Sequence, residues 1–93
     1  MTTLRIEHPT PDYDAWKQVF DADPLGREQS GVRGYRILRS VGDPTLVMID
    51  LDFDSAGEAE SFLTRLRVLW QSNPLLTGNP KARVVETAES KDY

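Results

Sequence analysis

A chain of 93 residues with a net charge of −4 and no cysteine fits a single domain, taken here as residues 1–93. It has no positive field with which to neutralise nucleic-acid phosphates or anionic lipid. Missing thiols exclude disulfides, thiolate nucleophiles and cysteine-ligated zinc or iron–sulfur sites. No apolar run approaches the roughly 18 residues of a membrane span, and Met1–Ile6 lacks a basic flank with an apolar run behind it, so the expectation is a cytoplasmic protein with no nucleic-acid or membrane partner.

The first element is a strand over Leu4–His8, where apolar and polar residues alternate before Pro9-Thr10-Pro11 ends the ladder. Asp12 stands where an N-cap belongs, Asp14 adds negative charge near the positive end of the helix, and Tyr13, Trp16, Val19 and Phe20 recur at helical spacing. These predict a first helix over Tyr13–Ala22. Pro24 stops it, and Leu25–Gly31 reads as a loop or one short helical turn.

Two β-rich runs follow, Val32–Val41 and Thr45–Phe53, with turn chemistry at Gly42-Asp43-Pro44. With Arg36 opposite Asp50, one face of this hairpin carries Tyr35, Ile37, Val47, Ile49, Leu51 and Phe53. The other carries Arg36, Leu38, Met48, Asp50 and Asp52. Ser55 and Glu58 form a capping-box pattern, and Ala59, Phe62, Leu63, Leu66, Leu69 and Trp70 make the apolar stripe of a second helix. Asn73-Pro74 stops that helix, Thr77-Gly78-Asn79-Pro80 turns, Lys81–Glu86 is a last strand, and residues 88–93 form a loose tail.

The order βαββαβ predicts an α+β, ferredoxin-like domain: a four-stranded antiparallel sheet with two helices on one face. The uncovered face mixes Leu38 and Met48 with opposed charges and is suited to burial against a second copy, giving a homodimer. A chain this short buries only about 60–65% of its unfolded surface, which also favours pairing.

Several segments together, Glu7-His8, Pro11–Lys17, Val19-Phe20-Asp21, Gly34-Tyr35-Arg36 and Val47–Phe53, resemble small proteins of the dimeric α/β-barrel superfamily, close to the antibiotic-biosynthesis-monooxygenase-like group, some of which are labelled cyclases. The resemblance spans nearly the whole chain and implies two sheets closing back to back, with a small-molecule pocket between each sheet and its own helices. Members include cofactor-free monooxygenases, lactone isomerases, haem-handling enzymes and proteins with no known activity. No catalytic motif of the group matches position by position, so no catalytic residue is carried over.

Among the residues themselves, His8 is the one side chain whose ordinary pKa lies near neutrality, and alternation places it with Leu4 and Ile6 on the helix side. It is either a general base or a histidine hydrogen-bonded at a strand end, and one histidine alone does not specify haem. Trp16, Phe20, Phe53 and Trp70 form a substrate-binding aromatic set or simply core. Tyr35 or Arg36 would steady an anion. No phosphate loop, Ser-His-Asp order or metal-ligand spacing is present, and no cofactor is expected. Two functions follow: a cofactor-independent monooxygenase or cyclase/isomerase acting on a small aromatic or polyketide-like molecule, or a non-catalytic homodimeric ligand-binding or interaction module.

Overall fold

The computed structural model describes residues 1–72 and 80–93. Its elements run β1 (Thr2–Pro9), α1 (Tyr13–Ala22), β2 (Gly34–Arg39), β3 (Leu46–Phe53), α2 (Ala56–Ser72) and β4 (Lys81–Glu86). The strands form one antiparallel sheet in the order β2-β3-β1-β4. The ferredoxin-like arrangement expected from the sequence is therefore the one adopted. Both helix-stop and turn signals at residues 73–74 and 77–79 lie outside the described residues. None of the described helices is long and apolar enough to cross a membrane.

Local chemistry sets the helix bounds. The Asp12 carboxylate accepts from the Ala15 N–H at 3.1 Å and caps α1. At the other end Asp23 takes a left-handed conformation, φ 53°, and its N–H bonds back to the Phe20 carbonyl. Ser55 Oγ accepts from the Glu58 N–H at 3.2 Å and donates to the Glu58 carboxylate, so the capping pair starts α2 as the sequence implies. Gly31, at φ +100°, lies directly beneath that carboxylate, where a Cβ would collide with it. The segment between α1 and β2 is thereby pinned at both ends, by Asp23 and by Glu58.

Strand ends differ from the sequence expectation. β1 begins at Thr2 and includes Pro9, because Pro9 sits at the last pair of the ladder, where its missing donor costs little. β2 is shorter than the Val32–Val41 run: Val32 leaves the sheet to enter the core, and Val41 is fully exposed at the hairpin end.

On the inner face, Leu4, Ile6, Val47, Ile49, Leu51 and Phe53 meet Ala59, Phe62 and Leu63 of α2. Burial of each large apolar side chain contributes about 1.5–3 kcal/mol. Phe53 is wholly buried with its ring 5.7 Å from that of Phe62. The outer face is organised by register. Arg36 pairs with Asp50, Asp50 with Arg5, and Arg5 with Arg83, giving one charged row across all four strands. Arg5 grips Asp50 through two 2.9 Å hydrogen bonds, and Arg36 adds a third at 3.3 Å from the far side. Asp50 is thus 2% exposed although no helix covers it.

Those hydrogen bonds from Arg5 hold the Asp50 carboxyl below its ordinary 3.8, overcoming the upward push of burial. A carboxylate with a lowered folded pKa adds stability above its unfolded pKa and loses it as pH falls through the folded value. Asp50→Asn is therefore expected to cost about 1–2 kcal/mol at pH 7, since both guanidinium partners are half-exposed. Urea melts should also show a shallower loss of stability below pH 4 than in the parent protein.

Candidate functional site

The two helices approach the sheet differently. Backbone of α2 comes within 8 Å of β1, β3 and β4, measured between Cα atoms, whereas no Cα of α1 comes that near to another described element. Large side chains fill the gap beneath α1. Tyr13, Trp16 and Phe20, at i, i+3 and i+7, point inward, and their rings form a continuous row. Tyr13 to Trp16 is 5.7 Å between centroids, Trp16 to Phe20 is 5.2 Å, and Phe20 to Tyr35 on β2 is 5.0 Å and edge-on. His8 joins from the sheet, 5.6 Å from Trp16.

Rings of that size do not tile the space completely, and a cavity of ≈ 80 Å³ remains. Its floor is Ile6, His8, Ile49 and Leu51; its walls are Trp16, Val19 and Phe20 of α1 and Phe62, Leu66, Leu69 and Trp70 of α2; Asp23, Pro24, Leu25 and Arg27 close one end. The lining is almost wholly apolar, with His8, Asp23 and Arg27 the ionisable members. Among the described residues, no three His, Asp or Glu side chains are grouped to hold a metal ion.

His8 is 3% exposed. Its Nδ1 lies 3.2 Å from the Pro9 carbonyl and 2.9 Å from Thr10 Oγ1. The Thr10 hydroxyl can donate to an unprotonated Nδ1; a carbonyl only accepts, so in the tautomer that satisfies the Pro9 contact the proton sits on Nδ1. Nε2 is then the unprotonated nitrogen, and among the described residues it has no hydrogen-bond partner. Burial pushes the imidazole pKa below its ordinary 6.5, and the Pro9 hydrogen bond only partly restores it. At neutral pH the ring is an uncharged acceptor in a largely apolar wall, the form a general base requires.

The sequence candidates do not all meet here. His8, Trp16, Phe20 and Trp70 line one cavity. Phe53 does not: alternation put it on the correct face, but it lies at the opposite end of β3 from His8's partner Val47, packed against Phe62. Tyr35 is on the helix-facing side but 47% exposed, two rows of the sheet from His8 and at the mouth of a separate groove. Arg36 points from the opposite face and is engaged with Asp50 and Asp52 at 3.3 and 3.5 Å, so the sheet itself separates it from His8. Arg27 is the member that sequence reasoning missed. It stands in a loop with no periodicity, and the folding back of that loop at Asp23 brings it to the cavity.

No family model matches the chain, and no curated protein matches it. Solved structures do. A candidate antibiotic biosynthesis monooxygenase from Deinococcus radiodurans superposes with a TM-score of 0.71 at 15% identity, over 100% of this chain and 98% of its own. A dimeric ferredoxin-like protein from an uncultured marine organism gives 0.68 at 14% identity, over 97% and 96%. A variant of MhuD holding two manganese protoporphyrin IX molecules per active site gives 0.67 at 14% identity, over 100% of both chains. The likeness extends end to end, and at these identities it establishes the fold alone: a ferredoxin-like architecture.

The histidine carries a consequence for stability. A histidine with a lowered folded pKa binds fewer protons than the unfolded chain, so its contribution is intact above the ordinary 6.5 and is lost as pH falls toward the folded value. Thermal melts of the parent protein should therefore drop between pH 7 and pH 5. In His8→Asn, which keeps a polar group for the Pro9 and Thr10 contacts but does not titrate, that part of the slope should be absent.

Proposed function

We propose that the chain is a small-molecule enzyme in which His8 acts as general base on a small aromatic or enolic substrate, without a bound cofactor. The observation that carries this reading is the coincidence of an uncharged imidazole, its Nε2 unpartnered among the described residues, with a cavity walled by Trp16, Phe20 and Trp70. A wholly packed helix–sheet space would have favoured an interaction module instead. The cavity supports a ligand.

The chemistry is proton removal from an acidic C–H or O–H. Nε2 takes the proton and becomes part of an imidazolium whose Nδ1–H is steadied by the Pro9 carbonyl. The pair left on the substrate is delocalised into its ring, held between flat aromatic walls. From that anion two outcomes are open to the same site. Return of the proton at another atom gives an isomer or a cyclised product. Reaction of the carbanion with dioxygen, followed by loss of water, converts a methylene to a carbonyl, with the substrate itself supplying the electrons. Named monooxygenases among proteins of the same fold favour the second outcome.

The working unit in this reading is a homodimer. Leu38 is 42% exposed and Met48 half-buried on the uncovered sheet face, beside the Arg5–Asp50–Arg36 cluster. A second sheet over that face would bury the apolar pair and dry the ion cluster. A dimeric protein of this fold supports the assignment.

Two measurements test these points. With anthrone-like phenols and enones as substrates, and oxygen uptake recorded alongside product formation, His8→Ala is expected to lower kcat/KM by about 10²–10⁴; unchanged turnover would remove His8 as the base. Sedimentation at micromolar concentration should give a species of twice the 10.5 kDa chain mass, and a monomer there would contradict the pairing.

A further inference from the structure

Arg27 faces two cavities, not one. Beside the apolar cavity lies a groove of ≈ 390 Å³ lined by Asp23, Arg27, Glu28, Val32, Arg33, Gly34 and Tyr35. Asp23 and Arg27 belong to both linings, so their side chains form the partition between them. The guanidinium is held in that partition from three directions. Its carbon lies 3.8 Å from the Phe20 ring centroid and 5.2 Å from that of Tyr35, and Nη1 donates to the Phe20 carbonyl at 2.7 Å.

What the guanidinium lacks is a full set of acceptors. The Asp23 carboxylate is 3.5 Å from Nη1, and the same oxygen already accepts the Arg27 backbone N–H at 2.9 Å. Among the described residues, neither Nε nor Nη2 has a hydrogen-bond partner. The side chain is only 17% exposed, and a guanidinium does not shed its charge. Its remaining donors are a rigid fork matched to a planar oxyanion. Arg33, the other cation of the groove, is already neutralised by Asp54 through bonds of 2.6 and 2.9 Å, which leaves Arg27 as the anion receptor.

We infer that the site takes an aromatic carboxylate: the ring enters the apolar cavity beside Trp16 and Trp70, and the carboxylate is bound in the partition by the Arg27 fork. The inference rests on the cavity being a ligand site, as in the proposed function, and names the class of molecule that it selects. Charge supports a single negative group. Asp23 and Glu28 flank the groove, so a dianion would meet two carboxylates, whereas one carboxylate exchanges water on Nε and Nη2 for charge-assisted hydrogen bonds.

The chain carries its own reporters, because both of its tryptophans line the apolar cavity. Titration of the whole protein with 3-phenylpropanoate and with the neutral 3-phenylpropanamide, exciting tryptophan at its red edge, is expected to show the acid binding at least tenfold more tightly. That preference should shrink as salt is raised. Arg27→Gln should bring the acid-to-amide ratio near one, and Arg27→Lys, which keeps the charge but not the fork, should fall between. Equal affinities in the parent protein would overturn the inference, and that comparison needs no variant to fold. An Arg27→Gln variant that weakened both compounds alike would also overturn it, by showing that Arg27 only holds the loop. Silence from both compounds would remove the cavity reading itself. An acid preference that survived in a protein whose turnover ignored His8 would sink only the choice of base.

Discussion

The thickness of the layer between sheet and α1 is the constraint on which the rest of the molecule depends. The helix α2, with Ala59, Phe62 and Leu63 buried, brings its Cα atoms within 8 Å of three strands. The inward positions of α1 are instead Tyr13, Trp16 and Phe20. Their rings stand the helix away from the sheet, and flat plates at tilts of 32–60° leave wedge-shaped space that aliphatic side chains would have filled. The half of α2 that faces this space carries Leu66, Leu69 and Trp70, each only partly buried. The cavity is a result of packing large rings against a small sheet, and His8, 5.6 Å from the Trp16 ring, is nearly inaccessible at the end of β1.

The two faces of the sheet solve different problems with one alternation. Leu4 and Ile6 of β1 and Val47, Ile49 and Leu51 of β3, the two central strands, give the helices a continuous aliphatic floor. Outward, a helix-free face would leave Asp50 in water, yet it is nearly inaccessible because two arginines from neighbouring strands fold over it. That arrangement fixes register: a slip of one residue would turn Asp50 into the apolar layer, unpaired, while Ile49 went to solvent. Arg83 opposite Arg5 has no such compensation from β1, and it is toward Asp50 that Arg5 turns. An apolar floor on one side and the carboxylate at the centre of the charged row on the other are thus both carried by β3.

Much of this was legible in the sequence, and the boundary of legibility is physical. The helix over Tyr13–Ala22 could be read because Asp12 caps it and Pro24 follows Phe20, the last residue of its apolar stripe, by four positions. Arg36 opposite Asp50 could be read because that register keeps apolar and charged side chains on separate faces and also sets opposite charges across the strands. Alternation gives the face of a residue but not its position along the face, so Phe53 was grouped with Trp16 although Phe62 claims it. Tyr35 shares a face with His8 for the same reason, and lies two rows away. Arg27 was beyond reach. Its placement depends on a left-handed Asp23, on a carboxylate turned back to the Arg27 N–H, and on Gly31 fitting under Glu58, three tertiary conditions that no local pattern of residue types encodes.

The same features explain how a neutral histidine and a charged guanidinium can border one cavity in so small a protein. A neutral histidine and a charged guanidinium place opposite demands on their surroundings: burial suits the first, and the second needs acceptors or water. In this fold the aromatic row keeps the two demands apart. Trp16 seals the His8 end against solvent, while Phe20 and Tyr35 offer the guanidinium the faces of their rings, which compensate part of its charge without supplying a competing carboxylate. An aliphatic row would shelter His8 equally well but would leave Arg27 with only the Phe20 carbonyl and a distant Asp23. The rings of α1 therefore do two things at once: they hold the helix off the sheet far enough to leave a cavity, and they make one end of that cavity tolerable for a buried positive charge.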